Sequence, residues 1–142
     1  MAHQLSASAA PPQVLKTIDV ATIPTDIILT EYANRYFIVV TQIDKFGTFV
    51  NAWAESKADG EYSYHTRELM GVRDDVLYET IARHIMEHVC VASNYTKAGK
   101  EVLLAISLKG RSTNAANSNE NFGDNADFEL FKSITQGIKD MM

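Results

Sequence analysis

One segment restricts the fold of this chain more than any other. From Asp74 and Asp75 to Ala92, the residues Leu77, Tyr78, Ile81, Ile85, Val89 and Ala92 recur at helical spacing and form one apolar stripe, with Glu79, Arg83 and Glu87 on the opposite side. The paired aspartates suit the N-cap and first turn of a helix. A helix with a single stripe cannot bury it alone, so it needs a flat apolar layer to lie on.

The rest of the sequence supplies that layer. Glu101–Lys109 alternates strongly, with Val102, Leu104, Ile106 and Leu108 on one face and the smaller, mixed set Leu103, Ala105 and Ser107 on the other. Ahead of the helix, Gln13–Val20, Asp26–Tyr32, Tyr36–Ile43, Thr48–Ala54 and Tyr62–Met70 read as extended segments. Pro24 interrupts the chain between the first two, and Ala33-Asn34-Arg35 is read as a tight turn. Tyr36–Ile43 and Thr48–Ala54, joined by Asp44-Lys45-Phe46-Gly47, read as a hairpin. In Thr48–Ala54 both faces are partly apolar, which favours a central strand, and Phe49 and Trp53 share a face that we assign to the core.

A second helix, capped by Asp127, is predicted from Leu130, Phe131, Ile134, Ile138 and Met141. The expected architecture is α+β: an antiparallel sheet of about six strands, with both helices on one face, in the order β-β-β-β-β-α-β-α. Residues 13–142 read as one domain, preceded by a flexible tail, Met1–Pro12, and containing a mobile Asn/Ser-rich loop at about 110–125.

Charge and cysteine content narrow the function. The formal net charge of −5 and the lack of a Lys/Arg cluster argue against a nucleic-acid partner. The tail has neither the basic nor the apolar region of a secretory signal, and no apolar run approaches the ~20 residues of a membrane helix. Cys90 is the single cysteine, which suits a reducing compartment, so the expected location is cytoplasm, nucleus or both. On the helical wheel Cys90 falls on the polar side and reads as a bystander thiol.

His84-Ile85-Met86-Glu87-His88 carries the sharpest catalytic pattern, His-x-x-Glu-His, as in inverted zinc peptidases. A catalytic zinc needs a third protein ligand, Glu87 points toward the charged face, and the histidines sit at the edge of the apolar stripe. We therefore assign no catalytic residue, metal ligand or cofactor, and expect a protein that is not an enzyme. Lys45 and Phe46 at the turn, with Gly47 and Thr48 beside them, are the candidate partner contacts, because an aromatic next to a cation is a common anchor.

Two blocks carry a resemblance. Val40-Thr41-Gln42-Ile43-Asp44-Lys45-Phe46-Gly47-Thr48-Phe49-Val50 resembles the Val-Thr-Gln, Lys-x-Gly-Thr-x-Val signature of the proteasome assembly chaperone 3 family. Glu101–Lys109, following an amphipathic helix opened by acidic residues, is similar to that family's late strand, and Ile23-Pro24-Thr25-Asp26 to its early turn. The resemblance implies a non-enzymatic chaperone that holds proteasome α-subunits while the α-ring forms. It also implies a dimer, made with itself or with a related assembly chaperone 4 subunit. A longin- or profilin-like adaptor of a trafficking or cytoskeletal complex is the alternative that the sheet-plus-helices plan leaves open.

Overall fold

The computed structural model describes residues 11–44, 46–71, 75–109 and 125–142. The strands are β1 (Gln13–Val20), β2 (Ile23–Glu31), β3 (Arg35–Thr41), β4 (Thr48–Ser56), β5 (Tyr62–Met70) and β6 (Glu101–Ser107). Helix α1 (Val76–Ala92) precedes β6, and α2 (Asn125–Met141) follows it. The α+β class and the element order match the expectation. Most of the predicted tail and nearly all of the Asn/Ser-rich loop fall outside the described residues, although Pro12 is tied down by the amide of Glu31, which donates to its carbonyl at 3.0 Å.

The sheet is mixed rather than wholly antiparallel. Its spatial order is β1-β2-β3-β6-β4-β5, and β3 pairs with β6 in parallel. The expected hairpin between β3 and β4 therefore does not form, because β6 lies between them. The reason is burial: β6 carries apolar residues on both faces, and such a strand is best placed at the centre of a sheet. Since β5 and β6 are each antiparallel to β4, they run in the same direction. Helix α1 carries the chain back across the sheet from one to the other.

The β3–β4 connection must consequently span two strand spacings, about 10 Å, over the end of β6. Gln42 secures it. Its backbone amide donates to the carbonyl of Ser107 at 2.9 Å, its side-chain amide donates to Thr25 Oγ1 at 2.9 Å, and its Oε1 accepts from the amide of Lys109 at 2.8 Å. Gly47 then passes against the carbonyl of Ile106 at φ +70°, where a Cβ would collide with that oxygen. Only glycine meets both conditions without strain.

Pro24 does not break the chain as expected. It is the second residue of β2 and pairs with Asp19, next to a two-residue turn in which Ala21 and Thr22 both have positive φ. The registered pairing with β3 starts further on, at Asp26, so the missing amide of Pro24 disturbs no ladder on that side.

Both helices pack on the same face of the sheet. Asp75 caps α1, accepting from the amide of Leu77 at 3.1 Å, and Leu77, Ile81, Ile85 and Val89 are buried against Val50, Ala52, Val102 and Leu104. The amide of Leu108, just past β6, donates to the phenol of Tyr78 at 3.3 Å. Helix α2 covers β1 and β2, burying Ile134 and Ile138. It starts earlier than predicted, so Asp127 lies within its first turn instead of at the cap. Cys90, expected on the polar side of α1, is fully buried. The wheel misplaced it because α1 packs on β5 as well as on the central strands, with Tyr64 of β5 beside Cys90, which widens its buried arc beyond one stripe.

Candidate functional site

The face of the sheet opposite the helices has nothing packed on it among the described elements, yet it is not polar. Strand register defines rows across it. Leu15, Ile28, Val39, Ala105, Phe49 and Met70 form an entirely apolar row. The neighbouring row runs Gln13, Thr30, Phe37, Leu103, Asn51 and Arg67. Polar pairs flank these rows. Thr17 donates to Asp26 Oδ1 at 2.7 Å on one side, and Arg35 faces Glu101 at 3.7 Å on the other. An apolar centre with a polar rim is the anatomy of a protein interface.

The predicted partner contacts divide around this face. Phe46 is 57% exposed and leans over it, with ring centroids 6.5 Å from Phe37 and 6.0 Å from Phe49. Gly47 is spent on the crossing over β6, and Thr48 is buried at 2% exposure. Lys45 lies outside the described residues. Phe49 and Trp53 do share one face, but it is the open one. Trp53 is partly buried there, stacked on His65 at 5.6 Å, and does not enter the helix-side core. The helices cover the opposite side of β4, where Val50 and Ala52 point.

Sequence reasoning missed Phe37, Ile28 and Leu103 as members of this surface. The signal was present: β3, β4 and β6 are apolar on both faces, and two helices on one side can cover only one of them.

The histidine pair has a structural setting. Nζ of Lys139 donates to Nε2 of neutral His84 at 3.2 Å, and Phe131 meets the imidazole edge-on at 5.2 Å. Burial, with the nearby lysine, holds both His84 and His88 below the usual histidine value. No group of three or more His, Cys, Asp or Glu side chains is arranged for a metal among the described residues. Burial pushes the Cys90 thiol up, away from the thiolate that a nucleophile requires.

A concavity of about 330 Å³ beside the end of α1 is lined by Tyr36, His88, Ser93 and Lys97, among others. The charged groups at this end of the sheet are already paired. Lys97 donates to the phenol of Tyr36 at 3.1 Å, and Lys100 donates to Glu31 at 2.7 Å, which pulls the carboxyl of Glu31 down.

Fold and site together define an α+β domain whose described residues present an apolar sheet face. The sequence matches the family profile of proteasome assembly chaperone 3 over residues 38–122, more than half of its length. The chain belongs to the proteasome assembly chaperone 3 family. It is 29% identical over 102 residues to the Bos taurus proteasome assembly chaperone 3, covering 70% of this chain and 80% of that protein. Against the Homo sapiens protein it is 29% identical over 99 residues, covering 68% and 77%. It also superposes on a chain from the crystal structure of a chaperone complex for yeast 20S proteasome assembly. The TM-score is 0.61 at 14% identity, over 91% of this chain and 96% of that one, a likeness that speaks for the fold.

Proposed function

We propose that this chain is a non-enzymatic assembly chaperone of the proteasome core particle, acting as one half of a dimer through the open face of its sheet. Family membership supports the chaperone role and disfavours the adaptor of the longin or profilin kind. The observation that carries the dimer is the apolar row from Leu15 to Met70 with Phe46 above it, which no described element of the chain covers. A face of this composition is stabilised by burial, at about 25 cal/mol per Å² of apolar surface removed from water. The second layer we propose is another sheet of the same kind, from a second copy or from the related assembly chaperone 4 subunit. The resulting complex would hold proteasome α-subunits during α-ring formation. The lone Cys90 supports placement in a reducing compartment, cytoplasm or nucleus.

Tagged chain recovered from cells should bring down α-subunits and immature rings. Recovery of mature proteasomes alone, or of no α-subunit, would overturn the chaperone role. Sedimentation of the purified chain, alone and with the chaperone 4 subunit, tests the dimer directly.

A further inference from the structure

Among the described residues, a buried side-chain acceptor on the open face, Oδ1 of Asn51, lacks a hydrogen-bond partner. We infer that a notch around Asn51 is the specificity socket of this docking face, and that it takes a neutral primary amide side chain from the opposing surface. The inference rests on the docking reading above.

Asn51 sits near the middle of β4, between Leu103 of β6 and Arg67 of β5. Its Nδ2 donates to Glu101 Oε1 at 2.9 Å, which fixes the orientation of the amide, since reversing it would set two acceptors against each other. Oδ1 is then left with less than 1 Å² of accessible surface and no hydrogen-bond partner. A buried acceptor without a donor is destabilising in the free chain and is satisfied when a donor arrives. Asn51 is one of the residues that line a cavity of about 290 Å³, together with Trp53, Arg67, Leu69 and Glu101. Arg67 and Leu69, which share this lining, are exposed, so a shift of either disturbs a surface rotamer and not the core.

The surrounding charges select the incoming group. A cation would meet Arg67, which has no ion pair among the described residues, while the carboxylate that would attract it, Glu101, already faces Arg35 at 3.7 Å. An anion would meet Glu101 and Asn51 Oδ1, both acceptors. A primary amide satisfies the whole set: its NH₂ donates to Asn51 Oδ1, its carbonyl accepts from the Arg67 guanidinium, and its flat faces suit the indole of Trp53. A partner that presents only apolar side chains here leaves Oδ1 unpaired, which is how a polar socket in an apolar face rejects wrong partners.

The test uses whichever complex the wild-type chain forms, with itself or with the chaperone 4 subunit, measured by calorimetric titration or sedimentation equilibrium. Asn51→Leu should leave the thermal midpoint of the free chain unchanged or raised, and should raise the dissociation constant by roughly tenfold, because the partner's amide loses its acceptor. Phe37→Asp should abolish the complex. If Asn51→Leu binds like wild type while Phe37→Asp does not bind, the socket is refuted and the docking face stands. If Phe37→Asp binds like wild type, or the wild-type chain forms neither complex, the docking reading fails and the socket with it. Should Asn51→Leu lower the midpoint markedly, Arg67→Met on the exposed rim repeats the test: a several-fold weaker complex supports the socket, and wild-type affinity refutes it.

Discussion

Lys139 on α2 and His84 on α1 meet at 3.2 Å, an ammonium donating to a neutral imidazole across the interface between the helices. Protonating His84 would turn its only free acceptor into a donor facing a cation. Burial first, and Lys139 second, therefore hold its pKa below 6.5, against the weaker opposing pull of Glu87. His88 is shifted the same way by the same two causes.

The sign of the resulting pH dependence follows. These histidines bind protons more weakly when folded than when unfolded, so below pH 6.5 the unfolded chain takes up more protons and stability falls. Urea midpoints should drop between about pH 7.5 and 5.5, and His84→Phe should flatten part of that drop. An identical pH profile for the variant would contradict the assignment.

Tyr78 tests the link between α1 and the end of β6. Tyr78→Phe removes the acceptor used by the amide of Leu108 and should destabilise the chain by about 1–2 kcal/mol. Hydrogen exchange at Leu108 should accelerate in the same variant. A neutral effect on both would mean that the bond contributes little.

Gly47 tests the crossing over β6. Gly47→Ala combines a left-handed φ with a collision at the carbonyl of Ile106, and we expect a loss of about 2–3 kcal/mol by chemical denaturation. Because the β3–β4 connection crosses here, the variant should also loosen protection along β6. A stability equal to wild type would show that the crossing has slack.

Phe46 separates docking from folding. Being 57% exposed, Phe46→Ser should change the stability of the free chain by less than about 1 kcal/mol. It should weaken the dimer by roughly tenfold if Phe46 acts as an anchor. Undiminished dimerisation would restrict Phe46 to packing over Phe37 and Phe49.

Much of this protein is legible in its sequence because local rules suffice for it. Helical spacing located α1 and α2, two-residue alternation or a β-branched and aromatic run located the strands, and Asp75 capped α1 as its side chain allows. The resemblance through Val40–Val50 and Glu101–Lys109 rested on residues that the structure uses for register and turns, Gln42 and Gly47 above all. What local rules could not decide was which strands become neighbours. Period two says that Phe49 and Trp53 share a face, but only the packing of α1 and α2 says that it is the open one. The burial of Cys90, the place of β6 between β3 and β4, and the unpaired oxygen of Asn51 all come from segments far apart in the chain. Pairwise burial across the sheet outweighs the preference of adjacent strands for a hairpin, and that competition is settled only in three dimensions.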